Sequence, residues 1–170
     1  MSKHSAIFKI CLGAAMATVM SAPLAQADPL VSNFAFKIVE MTTEGEELLV
    51  DRKVVKPGET IQYSITHENT SEDDLAGIIV TAPIPDGVTL AIGSESSSIS
   101  AKFEIQAEME PENPGLEWAT LPAFRKVIDE NGNESMEPVP ADAIAAVRWS
   151  LEPPLHSGEV ALNSYRVIVN

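Results

Sequence analysis

The chain has 170 residues, 45% of them hydrophobic, with 25 acidic side chains against 11 basic ones and a formal net charge of −14 at pH 7. That balance repels nucleic acid and anionic lipid headgroups and argues against both as partners. A single cysteine, Cys11, excludes a disulfide framework within the chain.

The first 27 residues read as a signal peptide rather than as part of the fold. Lys3 and Lys9 give a positive start, Ile10 to Met20 is a short apolar core, and Ala25-Gln26-Ala27 is a cleavage signature. The apolar run is too short and too rich in small residues for a convincing membrane span, which leaves an uncleaved anchor as the lesser alternative. Removing 27 residues from 170 leaves 143, enough for one domain with a real core. The leader takes two basic and no acidic residues with it, so nine bases face twenty-five acids and the mature charge is −16. It also takes Cys11, leaving no thiol chemistry and no thiolate metal site.

From residue 28 the chain reads as short strands and tight turns. Phe34, Phe36 and Ile38 alternate with Ala35 and Lys37, which predicts a first strand over Asn33 to Glu40 with Phe34, Phe36 and Ile38 facing a core. Leu48 to Val50 and Lys53 to Val55 suggest an edge-like second strand interrupted by Asp51-Arg52. Lys56-Pro57-Gly58-Glu59 is turn chemistry, and Ile61, Tyr63 and Ile65 then alternate with Gln62, Ser64 and Thr66 as a half-buried strand. Glu68 to Asp74 is too polar to bury and reads as a loop. Leu75 to Thr81 is a continuous apolar run, as in a central strand covered on both faces, and Pro83, Pro85, Asp86 and Gly87 stop it.

A short strand is expected over Val88 to Ile92, a flexible serine-rich loop over Gly93 to Ser98, and a strand over Lys102 to Ala107. Glu108 to Gly115 is a loop, and Leu116 to Thr120 a strand with Trp118 inside. Phe124 to Ile128 leads into Asn131-Gly132, the dipeptide best suited to a tight hairpin turn. Pro138 to Asp142 is suited to one short helical turn. Ala145, Val147, Trp149 and Leu151 mark the inner face of another strand. After the Pro153-to-Glu159 turn, Val160 to Val169 closes the domain with Tyr165, Val167 and Val169 on one face. No stretch keeps a helical apolar period. About seven to nine antiparallel strands with Pro/Gly turns predict an all-β sandwich over 28–170.

Candidate chemistry is sparse. Mature residues include two histidines, His67 and His156, which the pattern puts at strand ends or turns, and serines 94 to 100, but no nucleophile-elbow pattern. Two histidines without cysteine fall short of a zinc site. Asp129, Asn131 and Asn133 place oxygen side chains at alternate positions and are candidate calcium ligands. The glycine falls at the fourth position and Pro140 at the twelfth, so this is no EF-hand, and a hairpin turn explains the same residues. Glu68 with Glu72-Asp73-Asp74 is a second acidic cluster, most simply a solvated loop. Trp118 and Trp149 could form a carbohydrate platform, but their apolar same-phase neighbours point to core packing instead. The residues point to no catalytic set and no cofactor.

Three further segments carry a resemblance. Lys56-Pro57-Gly58-Glu59-Thr60-Ile61 with Tyr63-Ser64-Ile65 and Glu68-Asn69-Thr70, then Pro83-Ile84-Pro85-Asp86-Gly87-Val88, then Ala145 to Trp149 with Leu155-His156-Ser157-Gly158, follow one another before a final strand Tyr165 to Val169. In order and spacing they resemble the conserved surface-repeat domain of unknown function (the number eleven type), over about Phe34 to Asn170. The resemblance implies an immunoglobulin-like sandwich of bacterial or archaeal envelope proteins, usually in tandem as a stalk, with no catalytic residues. This chain departs from it as a lone copy after a leader.

The resulting expectation is a non-enzymatic, exported structural or interaction module, periplasmic or at the cell surface, with an unknown protein partner or self-association. The alternative is a fibre subunit in which Asp28 to Ser32 and the first strand complete a neighbour's sheet.

Overall fold

The computed structural model describes residues 29–170, so the expected signal peptide lies outside the described residues. Twelve strands form among them: β1 (Leu30–Met41), β2 (Glu47–Val50), β3 (Thr60–Asn69), β4 (Ile79–Pro83), β5 (Val88–Leu90), β6 (Ser96–Ser97), β7 (Ala101–Glu108), β8 (Leu116–Ala119), β9 (Phe124–Ile128), β10 (Glu134–Pro138), β11 (Ala146–Leu151) and β12 (Val160–Val169). The only helical element among these residues is a 3-10 turn at Ala141–Ala143. It starts within Pro138 to Asp142, where a short helical turn is expected, and runs one residue beyond. The strand count exceeds seven to nine because the two-residue β6 and the separate β9–β10 hairpin add to the main ladders.

Every pairing is antiparallel. The larger sheet runs β2-β1-β3-β12-β5, with β6 also on β12, so β5 and β6 share one broken edge. The smaller sheet runs β4-β11-β7-β8. Apolar side chains from both fill one core: Ile38, Ile61, Ile65, Tyr165 and Val167 from the first, Val80, Ile105, Val147 and Trp149 from the second. The all-β chain is therefore a sandwich, as the alternating sequence requires, because each sheet has one apolar face to hide. Leu30, Leu151, Leu155 and Ala161 pack a smaller cluster at one end.

Ten residue pairs, from Leu30↔Asn69 to Val39↔Thr60, join β1 to β3 of the same chain. The strand begins earlier than the Phe/Ile alternation suggests, since Leu30 to Ser32 are already in this ladder.

Several expectations need correction. Leu75 to Thr81 is not a central strand. Gly77 adopts φ +72°, which ends regular pairing there, and only Ile79–Pro83 forms a strand, at an edge of the smaller sheet with alternating burial. Lys53 to Val55 leaves the sheet, held by Arg52, which donates to the Val54 carbonyl at 2.7 Å and bonds both Glu40 and Glu59. Gly93 to Ser98 is not a free loop. Its serines extend the β12 edge: Ser94 and Ser98 Oγ accept the amides of Arg166 and Leu162, at 2.9 Å each. Hydroxyls thus take the place of strand carbonyls where the edge is broken.

Candidate functional site

The residues singled out for chemistry do not converge. Asp129 caps the β9–β10 turn: one carboxylate oxygen accepts the amides of Asn131 and Asn133 at 2.8 Å each, and the other accepts Asn133 Nδ2 at 2.9 Å. Gly132, at φ +84°, supplies the positive backbone angle this turn requires. These bonds to Asn133, with smaller help from Asn131, hold the Asp129 carboxyl below its ordinary value. The geometry gives Asp129, Asn131 and Asn133 a turn role. No group of three or more His, Cys, Asp or Glu able to hold a metal occurs among the described residues.

The histidines lie in different settings. His67 is within β3 rather than at a solvated turn, half-buried, and burial pushes its imidazole down from the usual value. His156 is exposed in the turn before β12. Its Nδ1 lies 3.0 Å from Asp74 Oδ2, and that bond raises it. One member of the acidic cluster is thus paired with a histidine.

The tryptophans divide as well. Trp149 is buried, with ring centroids 5.2 Å from Phe103 and 6.0 Å from Tyr165. Trp118, expected inside, lies on the outer face of the smaller sheet. Register explains this: Trp118 stands opposite Gln106, and Gln106 opposite Ala146, so it shares a face with Glu104 and Arg148 rather than with Ile105 and Val147. The Arg148 guanidinium sits 4.3 Å above its ring. Arg148 is itself aimed by Glu104, which accepts its Nε at 2.8 Å and Lys102 Nζ at 2.9 Å. The Arg148 bond first, then that of Lys102, keeps this enclosed carboxylate below its usual range. A four-residue β8 shows too little alternation for sequence to choose its face.

Two surface features went unread in the sequence. The larger sheet is five strand positions wide and the smaller four, so part of the apolar face of β1 is left uncovered. Phe34 is 56% and Phe36 42% exposed, although both share the core-facing phase of Ile38. Phe34 stacks on Tyr63 at 5.3 Å, and Tyr63 packs on Tyr165 at 5.2 Å, so the shelf is the outer end of the core's own aromatic chain. Alternation identifies the face of a strand and says nothing of how far the opposing sheet reaches.

The second is an open cleft of about 640 Å³ between the β9–β10 hairpin and the segment from Glu108 to Leu116. Lys126 N donates to Met109 O at 2.9 Å and fixes the hairpin there. The Lys126 ammonium is held between Glu134, at 2.8 Å, and Glu112, at 2.9 Å. Both bonds raise it well above the ordinary lysine value.

No family model matches the chain, and no curated protein or solved structure does either.

Proposed function

We propose that this chain is a non-enzymatic, exported interaction module of the cell envelope, immunoglobulin-like in build, which makes contact through the aromatic shelf on β1. The exposure of Phe34 and Phe36 side by side carries this reading. Two phenylalanines on the core-facing side of a sheet, Phe34 stacked on Tyr63 and Phe36 edge-on to it, form a rigid apolar surface that is costly to leave in water. Rigid aromatic anchors of this kind contribute most of the energy at protein contacts. Leu48, facing the same way on β2 opposite Glu40, is a further exposed apolar side chain of this sheet. The envelope setting comes from the leader-like start and from the resemblance to the surface-repeat domain, and the acidic surface suits an exported, freely solvated protein.

Strand addition to a neighbour is the less favoured route to the same end, because β1 is fully engaged with β3 of its own chain. Site-specific photo-crosslinking in intact cells tests the proposal. With the full chain expressed, a crosslinker at position 34 should give a discrete adduct in the envelope fraction, and one at exposed Lys53 should not. Retention of the protein in the cytoplasm, or equal labelling from both positions, would overturn it. A ladder of adducts between copies, abolished by removing residues 28–32, would establish strand addition instead.

A further inference from the structure

The cleft under the β9–β10 hairpin contains an unusual cation. Arg125 lines it, half-buried, and its side chain makes no ion pair or hydrogen bond among the described residues. Its Nε is enclosed without a partner. In a chain with 25 acidic side chains and 11 basic ones, an arginine without a carboxylate is not explained by scarcity of partners. Glu137 stands opposite it in the ladder and Glu108 is in the cleft wall, yet neither pairs with it. Its neighbour Lys126, by contrast, is neutralised twice over. An enclosed N–H without a partner is unfavourable, and an anion bound to this half-buried guanidinium would remove that cost.

The remaining walls are largely apolar: Met109, Pro111, Leu116, Val127 and Ile128. Leu116 and Ile128 are exposed there, so the cleft offers hydrocarbon surface that no other described residue covers. Its volume falls among those of small-molecule sites, which pair apolar walls with a few fixed polar groups. The guanidinium fork matches a carboxylate, and the walls match an alkyl or aryl tail. Glu137 stands opposite the cation and Glu108 is in the cleft wall, so a ligand with several negative charges is repelled and a single one is tolerated.

We propose that this cleft is a binding site for a small amphipathic monocarboxylate, with its carboxylate on Arg125 and its apolar part against Met109, Leu116, Val127 and Ile128. The inference is independent of the shelf on β1, which lies on the other sheet.

Titration of the purified protein with decanoate, decanol and decyltrimethylammonium tests it, by calorimetry and amide chemical shifts. Decanoate should bind one per chain and shift the amides of β9 and of residues 108–116. Arg125→Gln should weaken decanoate at least about tenfold, the usual scale for losing a hydrogen-bonded charge, and leave decanol unchanged. Leu116→Trp, at an exposed position, should fill the cleft and weaken both. This variant keeps the test decisive if Arg125→Gln folds poorly. No decanoate binding at millimolar concentration, equal binding by Arg125→Gln, or tighter binding of the ammonium would each overturn the assignment.

Discussion

The side-chain amide nitrogen of Asn69 donates to the carbonyl oxygen of Leu155, 2.9 Å away and 86 residues later in the chain. The same nitrogen reaches Asp73 O at 2.8 Å, while Oδ1 accepts both the amide and the hydroxyl of Ser71. Its backbone completes the clasp, donating to Glu159 O and accepting from Gly158 N. One fully buried asparagine therefore closes the polar loop after β3 and ties it to the turn before β12. Asn69→Ala should cost about 2–4 kcal/mol in urea denaturation, because it strands buried carbonyls as well as losing bonds. Asn69→Asp keeps the contacts to Ser71 but turns a carboxylate towards two carbonyls, so it should be at least as damaging.

Asn163 is the opposite case. It is equally buried, on the inner face of β12 opposite Ile65, and neither amide atom finds a hydrogen-bond partner among the described residues. A buried amide without a partner opposes folding, so an apolar side chain of similar size is better tolerated there. Asn163→Leu should stabilise the domain by about 1 kcal/mol, raising the denaturation midpoint with an unchanged slope. A fall in stability would mean that Asn163 is satisfied by internal water.

The contrast shows how far sequence reaches. Asn69 was visible as part of the Glu68-Asn69-Thr70 motif, and Leu155 and Gly158 as parts of another, but not that the two motifs meet. Strand phase was legible wherever apolar residues alternate for long enough, as in β3, β7, β11 and β12, since period-2 burial follows from the pleat. It failed at β8, where four residues gave Trp118 the wrong face, and at Leu75 to Thr81, where Gly77 broke an apolar run. The shelf depends on the relative width of two sheets and the cleft on where a hairpin folds back. Neither is a property of any single segment.

The two tryptophans should separate experimentally. Trp149 fills the centre of the core, so Trp149→Ala should cost about 3–5 kcal/mol. Trp118→Ala loses an outer-face contact with Arg148 and should cost about 1 kcal/mol or less. Iodide should quench the Trp149→Phe variant substantially and the Trp118→Phe variant hardly at all. Equal quenching of the two would contradict their placement on opposite faces of the smaller sheet.

Three of the perturbed groups make stability depend on pH in ways that can be told apart. Glu104 is held below its ordinary 4.5 by Arg148 and then Lys102. Its contribution is present above 4.5 and lost as pH falls through the lowered folded value, and Glu104→Gln should remove that loss. His67 is pushed below 6.5 by burial, so under pH 6.5 the unfolded chain binds the proton first and stability falls with acid. His156 is raised above 6.5 by Asp74. In that case the folded chain binds the proton more tightly, and the contribution is complete below 6.5 and lost as pH rises through the folded value. His156→Gln should therefore flatten only the alkaline side of the profile, and His67→Gln only the acid side just under 6.5. The His156 effect should fade in high salt because the pair is exposed, whereas that of His67, which rests on desolvation, should persist. Denaturant midpoints for the three variants, collected between pH 3 and 8 at low and high salt, decide all of these signs in one series.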